Sequence, residues 1–161
     1  MNRLEGRTVL LAGASSGIGA HFAHLLANAG AKVVLGARRL DRVAALAASI
    51  GGQALAVPLD IADETSVIAA YDAAEARFGT VNGIVANAGV GTGGRSTDVA
   101  LEGLRAVIDT NLLGTYLVAR EGAKRMIAAA ITEFGDLHVL VNNACILRDR
   151  MLANMSDDEF D

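Results

Sequence analysis

The residues best suited to chemistry in this 161-residue chain lie near its start, at Gly13-Ala-Ser-Ser-Gly17-Ile-Gly19. The spacing G-x3-G-x-G, directly after an apolar run, suits a backbone that turns sharply from a strand into a helix while passing close to a ligand. Side chains are excluded there, and the free N–H groups of the first helical turn face an anion such as a pyrophosphate. Ser15 and Ser16 can add hydroxyl donors. Glycines also end strands for structural reasons alone, so the place of this trio in the first strand-to-helix turn carries the binding reading. Other reactive side chains weigh less. His21 and His24 lie three apart on one helix with no third ligand nearby, so no metal site is expected. Cys145, the only cysteine, has no neighbouring His or Lys in sequence to lower its pKa and reads as a small buried thiol. Tyr71 shares an apolar stripe with Val67, Ala74 and Phe78 and reads as core, and the pair Tyr116 and Arg120 reads as helix packing.

The elements that position this turn alternate. Apolar runs at Thr8 to Ala12, Lys32 to Leu35, Ala54 to Leu59, Val81 to Ala86 and Leu137 to Val141 predict strands buried on both faces. Helices are expected between them. Ile18, Phe22, Leu25, Leu26 and Ala29 share one face of the first, which Gly30 should terminate. Two more run over 39–50 and 63–78, ending at Gly51 and Gly79. A longer one spans 99–130, with Leu101, Leu104, Ile108, Leu112, Thr115 and Met126 as its stripe. Such alternation implies right-handed crossovers and a doubly wound parallel sheet of order 3-2-1-4-5, helices on both faces, in one domain over 1–161. Pro58 suits an edge strand, which the third would be.

One feature disturbs this pattern. Phe78, Gly79, Val85, Asn87 and Ala88 recur 56 residues later as Phe134, Gly135, Val141, Asn143 and Ala144. The fourth strand is thus expected to occur twice, with the second copy in the fifth-strand position. Ser156 to Glu159 then forms a capping box that would open a helix, whereas the sequence stops at Asp161, so a frayed tail is expected and the chain reads as cut inside a structural unit.

Composition narrows the function classes. A formal charge of −4, 4% aromatic residues and no tryptophan argue against a nucleic-acid surface, which would want clustered cations and stacking rings. A lone cysteine forbids an internal disulfide and fits a reducing, cytoplasmic compartment. No apolar stretch approaches the ~20 residues of a membrane span, and no signal peptide is visible.

The sequence A-G-A-S-S-G-I-G at 12–19, L-D-I at 59–61, A-N-A-G at 86–89 and D-T-N-L-L-G-T-Y at 109–116 together resemble the short-chain dehydrogenase/reductase family over residues 1 to about 130. The resemblance implies a Rossmann fold and hydride transfer between a nicotinamide cofactor and an alcohol or carbonyl. By it, Gly13, Ser16, Ile18 and Gly19 line the pyrophosphate, with Ser15 and Gly17 in the same turn. Asp60 and Ile61 contact the adenine, and Asn87, Ala88 and Gly89 sit beside the nicotinamide-side ribose. Asn111 corresponds to the family's active-site asparagine; its side chain can equally bond backbone within its own helix. Ala12 replaces the usual threonine. Residues 137–147 resemble the family's fourth strand again, with Cys145 in place of glycine, so the chain looks like one family member joined to an internal piece of another. A natural fusion, a chimera and an assembly error would all produce that pattern.

At the end of the second strand an acidic residue would hold a ribose 2′-OH and repel a 2′-phosphate. Here Ala37 is followed by Arg38 and Arg39, whose guanidinium groups can pair with a phosphate, so NADP(H) is expected ahead of NAD(H). The family's serine and Tyr-x3-Lys, which carry proton transfer, have no counterpart. The expectation is a dinucleotide-binding domain with impaired catalysis. Two other readings stay open: an active carbonyl reductase with an unrecognised proton donor, and a non-enzymatic assembly protein pairing through the helix at 99–130, as family members do.

Overall fold

The computed structural model describes residues 3–135. Four parallel strands, β1 (Thr8–Ala12), β2 (Lys32–Ala37), β3 (Ala54–Pro58) and β4 (Gly83–Ala86), form a sheet of order β3-β2-β1-β4. Its helices are α1 (Gly17–Asn28), α2 (Leu40–Ile50), α3 (Glu64–Phe78), α4 (Leu101–Val107) and α5 (Thr115–Phe134). The expected order 3-2-1-4 is present. The expected fifth strand, 137–141, lies outside the described residues, as do Cys145 and the tail.

β1 is buried throughout, and apolar from Val9 to Ala12, because both of its faces are covered. Leu10 and Ala12 join Val34, Val57, Val67, Tyr71 and Val118 in one core layer, and Val9 and Leu11 join Val33, Leu35, Ala23 and Val43 in the other. Pro58 is the last residue of β3, and β3 is an edge strand, where a missing N–H costs no ladder bond. Asp63 caps α3, its carboxylate accepting from Thr65 N at 2.9 Å. Gly30, at φ 95°, ends α1: its N–H donates to Ala27 O and the next, from Ala31, to Leu26 O, which closes the helix end in a left-handed turn.

Two expectations about helix faces are corrected. In α1 Ile18, Phe22 and Leu25 of the expected stripe are exposed by 68, 40 and 49% and Leu26 and Ala29 are half-buried, Leu26 against the core, while Gly19, Ala23 and Ala27 are the buried residues. The glycine turn places the start of α1 so close to β1 that only small side chains fit: a Cβ on Gly19 would collide with Gly13 O. The single helix expected over 99–130 is α4, a π-helical segment over Ile108–Gly114 and α5, running on to Phe134. Of its expected stripe, Leu101, Leu104, Ile108 and Leu112 are exposed, and Thr115 and Met126 are half-buried. Gly114, Val118, Glu121 and Gly122 are buried instead. The extra residue in the π turn shifts the helical phase, so a stripe drawn at constant period through 108–114 goes out of register. Gly122 admits Tyr71: a Cβ there would stand 2.5 Å from the phenol oxygen.

α3 and α5 are fastened by a polar cluster. Arg125 bonds Glu121 Oε1 at 2.8 Å, Glu75 Oε2 at 2.7 Å and Asp72 Oδ1 at 2.7 Å, and lies over the Tyr71 ring at 5.5 Å. Tyr71 Oη donates to Val118 O at 2.8 Å. Burial, aided by the Glu121 charge, pushes the phenol above its usual range, so it stays a donor. The hydrogen bond from Arg125 holds the Glu121 carboxyl below the usual glutamate range against the opposing effect of burial.

Candidate functional site

All four strands end on the same side, and the loops that leave them meet in a cleft of about 300 Å³. β1 contributes Gly13, Ser15 and Ser16; β2 ends at Ala37, followed by Arg38 and Arg39; β3 is followed by Leu59, Asp60 and Ile61; β4 by Asn87, Ala88, Gly89 and Val90. The crevice lies where the strand order reverses between β1 and β4, the place where open α/β sheets take ligands.

The glycine turn is held from three sides. Gly13 N and Ala14 N donate to Gly36 O at 2.8 and 3.2 Å. Asn87 Nδ2 donates to Gly13 O at 3.1 Å, tying the end of β4 to the turn. Gly13 has φ 80°, and a Cβ on it would lie 2.6 Å from Ala88 Cα, so conformation and space both demand glycine. Ser16 begins α1 without a side-chain bond to the first helical N–H groups. Its hydroxyl instead accepts from Arg39 Nη2 at 2.9 Å, and Ser15 Oγ accepts from the same nitrogen at 2.8 Å. Arg39 thus clamps the turn after β1 to the turn after β2. Arg38 is exposed, has no hydrogen-bond partner among the described residues, and borders both this cleft and a groove beside it.

Of the residues singled out in the sequence, Gly13, Ser15, Ser16, Arg38, Arg39, Asp60, Ile61, Asn87, Ala88 and Gly89 line the cleft. Gly17, Ile18 and Gly19 lie in the first turn of α1, Ile18 pointing to solvent and Gly19 buried under the turn. Asp60 is partly engaged, Oδ1 accepting from Ala62 N at 3.1 Å while its own N–H donates to Ser66 Oγ at 2.9 Å. Asn111 sits in the π-helical segment and bonds across to the loop after β4, not within its helix: Nδ2 donates to Val90 O and Oδ1 accepts from Val90 N, both at 2.9 Å. Leu59, Val90 and Thr110 also line the cleft and were not foreseen. Leu59 and Thr110 fall within the L-D-I and D-T-N-L-L-G-T-Y segments without a role having been assigned to them, and Val90 directly follows A-N-A-G.

Tyr71 is fully buried, and Tyr116 is 59% exposed on a separate recess with Asp109 and Leu113, its ring under Arg120, which pairs with Glu64. His21 and His24 are exposed. No cluster of three or more His, Cys, Asp or Glu residues suited to a metal occurs among the described residues, and no helix there is long and apolar enough to cross a membrane.

Sheet order, glycine turn and crevice together define a Rossmann-type α/β protein. Comparison with known proteins specifies the family: the short chain dehydrogenase profile matches residues 7–130, and the chain belongs to that family. It is 37% identical over 130 residues to D-threitol dehydrogenase of Mycolicibacterium smegmatis, covering 79% of this chain and 50% of that protein. It is 41% identical over 128 residues to cis-4-hydroxycyclohexanecarboxylate dehydrogenase of Sinomonas cyclohexanicum, covering 76% and 51%. Among solved structures, 3-ketoacyl-(acyl-carrier-protein) reductase from Brucella melitensis complexed with NADH superposes with a TM-score of 0.77 at 36% identity, covering 81% of this chain and 54% of that one. The chain spans about half the length of these curated relatives.

Proposed function

We propose that the cleft binds NADP(H) and that these 161 residues bind it without completing hydride transfer. The observation that carries the reading is the arginine pair after β2, with Arg39 spent on the two serine hydroxyls and Arg38 keeping its donors. The residues fit the cofactor. Glycine at 13 and 19 lets the turn after β1 close onto Ala88, Asn87 and its own backbone, where a Cβ would collide, and the N–H groups opening α1 suit a pyrophosphate. Ala37 offers no carboxylate to a 2′-OH, while Arg38 supplies the planar fork that a 2′-phosphate takes. Asp60 and Ile61 border the adenine end, and Asn87, Ala88 and Gly89 the far ribose. Bound there, the nicotinamide supplies the hydride-transferring group.

Among the described residues no tyrosine stands in the cleft to donate a proton. The chain's two tyrosines are Tyr71 and Tyr116, and neither lines the cleft. Neither is followed four residues on by lysine. A positioned general acid contributes about 10² to 10⁴ in rate, so an alcohol or carbonyl substrate would meet a bound cofactor and no partner for its developing charge. The exposed residues Leu101, Leu104, Ile108 and Leu112 support pairing of two chains through residues 99–130, and the single cysteine supports a cytoplasmic setting.

The test is a titration of NADPH and NADH into the chain and into Arg38→Ala. A charge-assisted phosphate contact is worth about 1.5–3 kcal/mol, roughly ten- to a hundredfold in affinity. The wild type should prefer NADPH by that factor, and the variant should lose most of the preference. The related reductase crystallised with NADH favours a second reading, NAD(H); equal affinities or a preference for NADH in the wild type would establish it and end the first.

A further inference from the structure

One side chain joins the two turns that open the cleft. Arg39 stands at the N-terminus of α2, where the helix dipole disfavours a cation. Its Nη2 reaches back to the turn after β1, 23 and 24 residues away in sequence, and donates to Ser16 Oγ at 2.9 Å and to Ser15 Oγ at 2.8 Å. That nitrogen carries two N–H groups, so both are committed to these hydroxyls.

The consequence for the serines is chemical as well as mechanical. A hydroxyl has one hydrogen to donate and two lone pairs with which to accept. Each serine spends a lone pair on Arg39, and its own hydrogen meets no acceptor among the described residues. Ser16 occupies the N-cap of α1, yet its side chain makes no bond to the first helical turn. Asp63, in the same position on α3, does make that bond, accepting from Thr65 N at 2.9 Å. Arg39 thus holds the Ser16 oxygen away from the N–H groups that open α1 and leaves those groups, with two hydroxyl hydrogens, for a ligand. A hydroxyl that accepts from a cation is also a stronger donor, because successive hydrogen bonds polarise one another.

We propose that Arg39 is a positioning residue for the pyrophosphate of the cofactor: it fixes and polarises the Ser15 and Ser16 hydroxyls as donors, and it acts on NADH and NADPH alike without reading the 2′-position. The proposal rests on the reading of the cleft as a dinucleotide site and not on its preference for NADP(H).

The test titrates NADH and NADPH into the full chain, into Arg39→Met, into Ser15→Ala/Ser16→Ala and into the triple variant. Arg39→Met should weaken both dinucleotides by the same factor, about tenfold, the scale of a lost charge-assisted bond, and leave the ratio of their affinities as in the wild type. In the background lacking both serines the same substitution should cost less than about twofold, because the direct pull of an exposed cation is weak in salt. Without nucleotide, Arg39→Met should unfold at the wild-type thermal midpoint, since the bonds it loses are exposed. A loss confined to NADPH would overturn the proposal and assign Arg39 to a 2′-phosphate. A full tenfold loss in the background lacking both serines would overturn it in favour of simple charge attraction, and a lowered midpoint without nucleotide in favour of a role in folding. Wild-type protein that binds neither dinucleotide would refute the reading of the cleft and the proposal with it, whereas the other three results refute the proposal and leave that reading standing.

Discussion

Gly13 sets how closely the turn after β1 packs against the segment after β4, because its positive φ and the nearness of Ala88 leave no room for a side chain. Gly13→Ala should cost about 2 kcal/mol, the scale of a strained left-handed residue, and lower the thermal midpoint in calorimetry. Asn111 acts differently. Its two bonds to Val90 strap the loop after β4 across the π-helical segment, so Asn111→Ala should free the Val90 amide to exchange and cost about 1 kcal/mol, since the site is exposed and water replaces part of what is lost. Gly13, Ser15, Ser16, Arg38 and Arg39 were legible in the sequence because they act within a few residues of a turn. Leu59, Val90 and Thr110 were not, because they reach the cleft through strand order and through the path of the long helix. The partner of Asn111 lies 21 residues away and no local pattern encodes it.

At the scale of elements, the four described strands and their order followed from apolar runs separated by helix-length segments, and so did the core stripe of α3, whereas the faces of α1 and of the long helix did not. Periodicity finds the apolar residues of α1, yet the close approach of helix to sheet selects Gly19, Ala23 and Ala27 for burial and leaves Phe22 outside. In α5 the buried face carries Glu121 and, one turn further on, the half-buried Arg125, residues that a search for apolar stripes passes over. Arg125→Met should destabilise the chain by about 2 kcal/mol at neutral pH, because it removes charge-assisted bonds to Glu121, Glu75 and Asp72 and leaves Glu121 with Lys124 alone. The sign of the pH dependence follows from Glu121. Its folded carboxyl titrates below the ordinary glutamate value, so the stability it contributes is complete above that value and disappears as pH falls through the lowered one. Urea midpoints measured from pH 7 downward should show this acid loss in the wild type and a flatter profile in Arg125→Met; parallel profiles would exclude the cluster as its source.

At the scale of the molecule, a Rossmann half supplies what is needed to hold a dinucleotide, and chemistry needs further groups placed against it. The dinucleotide recognition proposed above rests on residues at the ends of four strands and in the first turn of α1, all within the described residues. Proton transfer requires a tuned donor over the nicotinamide, and neither tyrosine of this chain lines the cleft. The most direct test follows NADPH consumption with simple aldehydes and ketones, in a sample where titration has shown the cofactor bound. Losing a general acid costs about 10² to 10⁴ in rate, and losing oxyanion donors costs about 10² to 10³ for each. Substrate-dependent consumption should therefore not rise above a heat-inactivated control. Consumption well above that control, abolished by Asn111→Ala or Tyr116→Phe, would contradict the account and locate an active site within these residues.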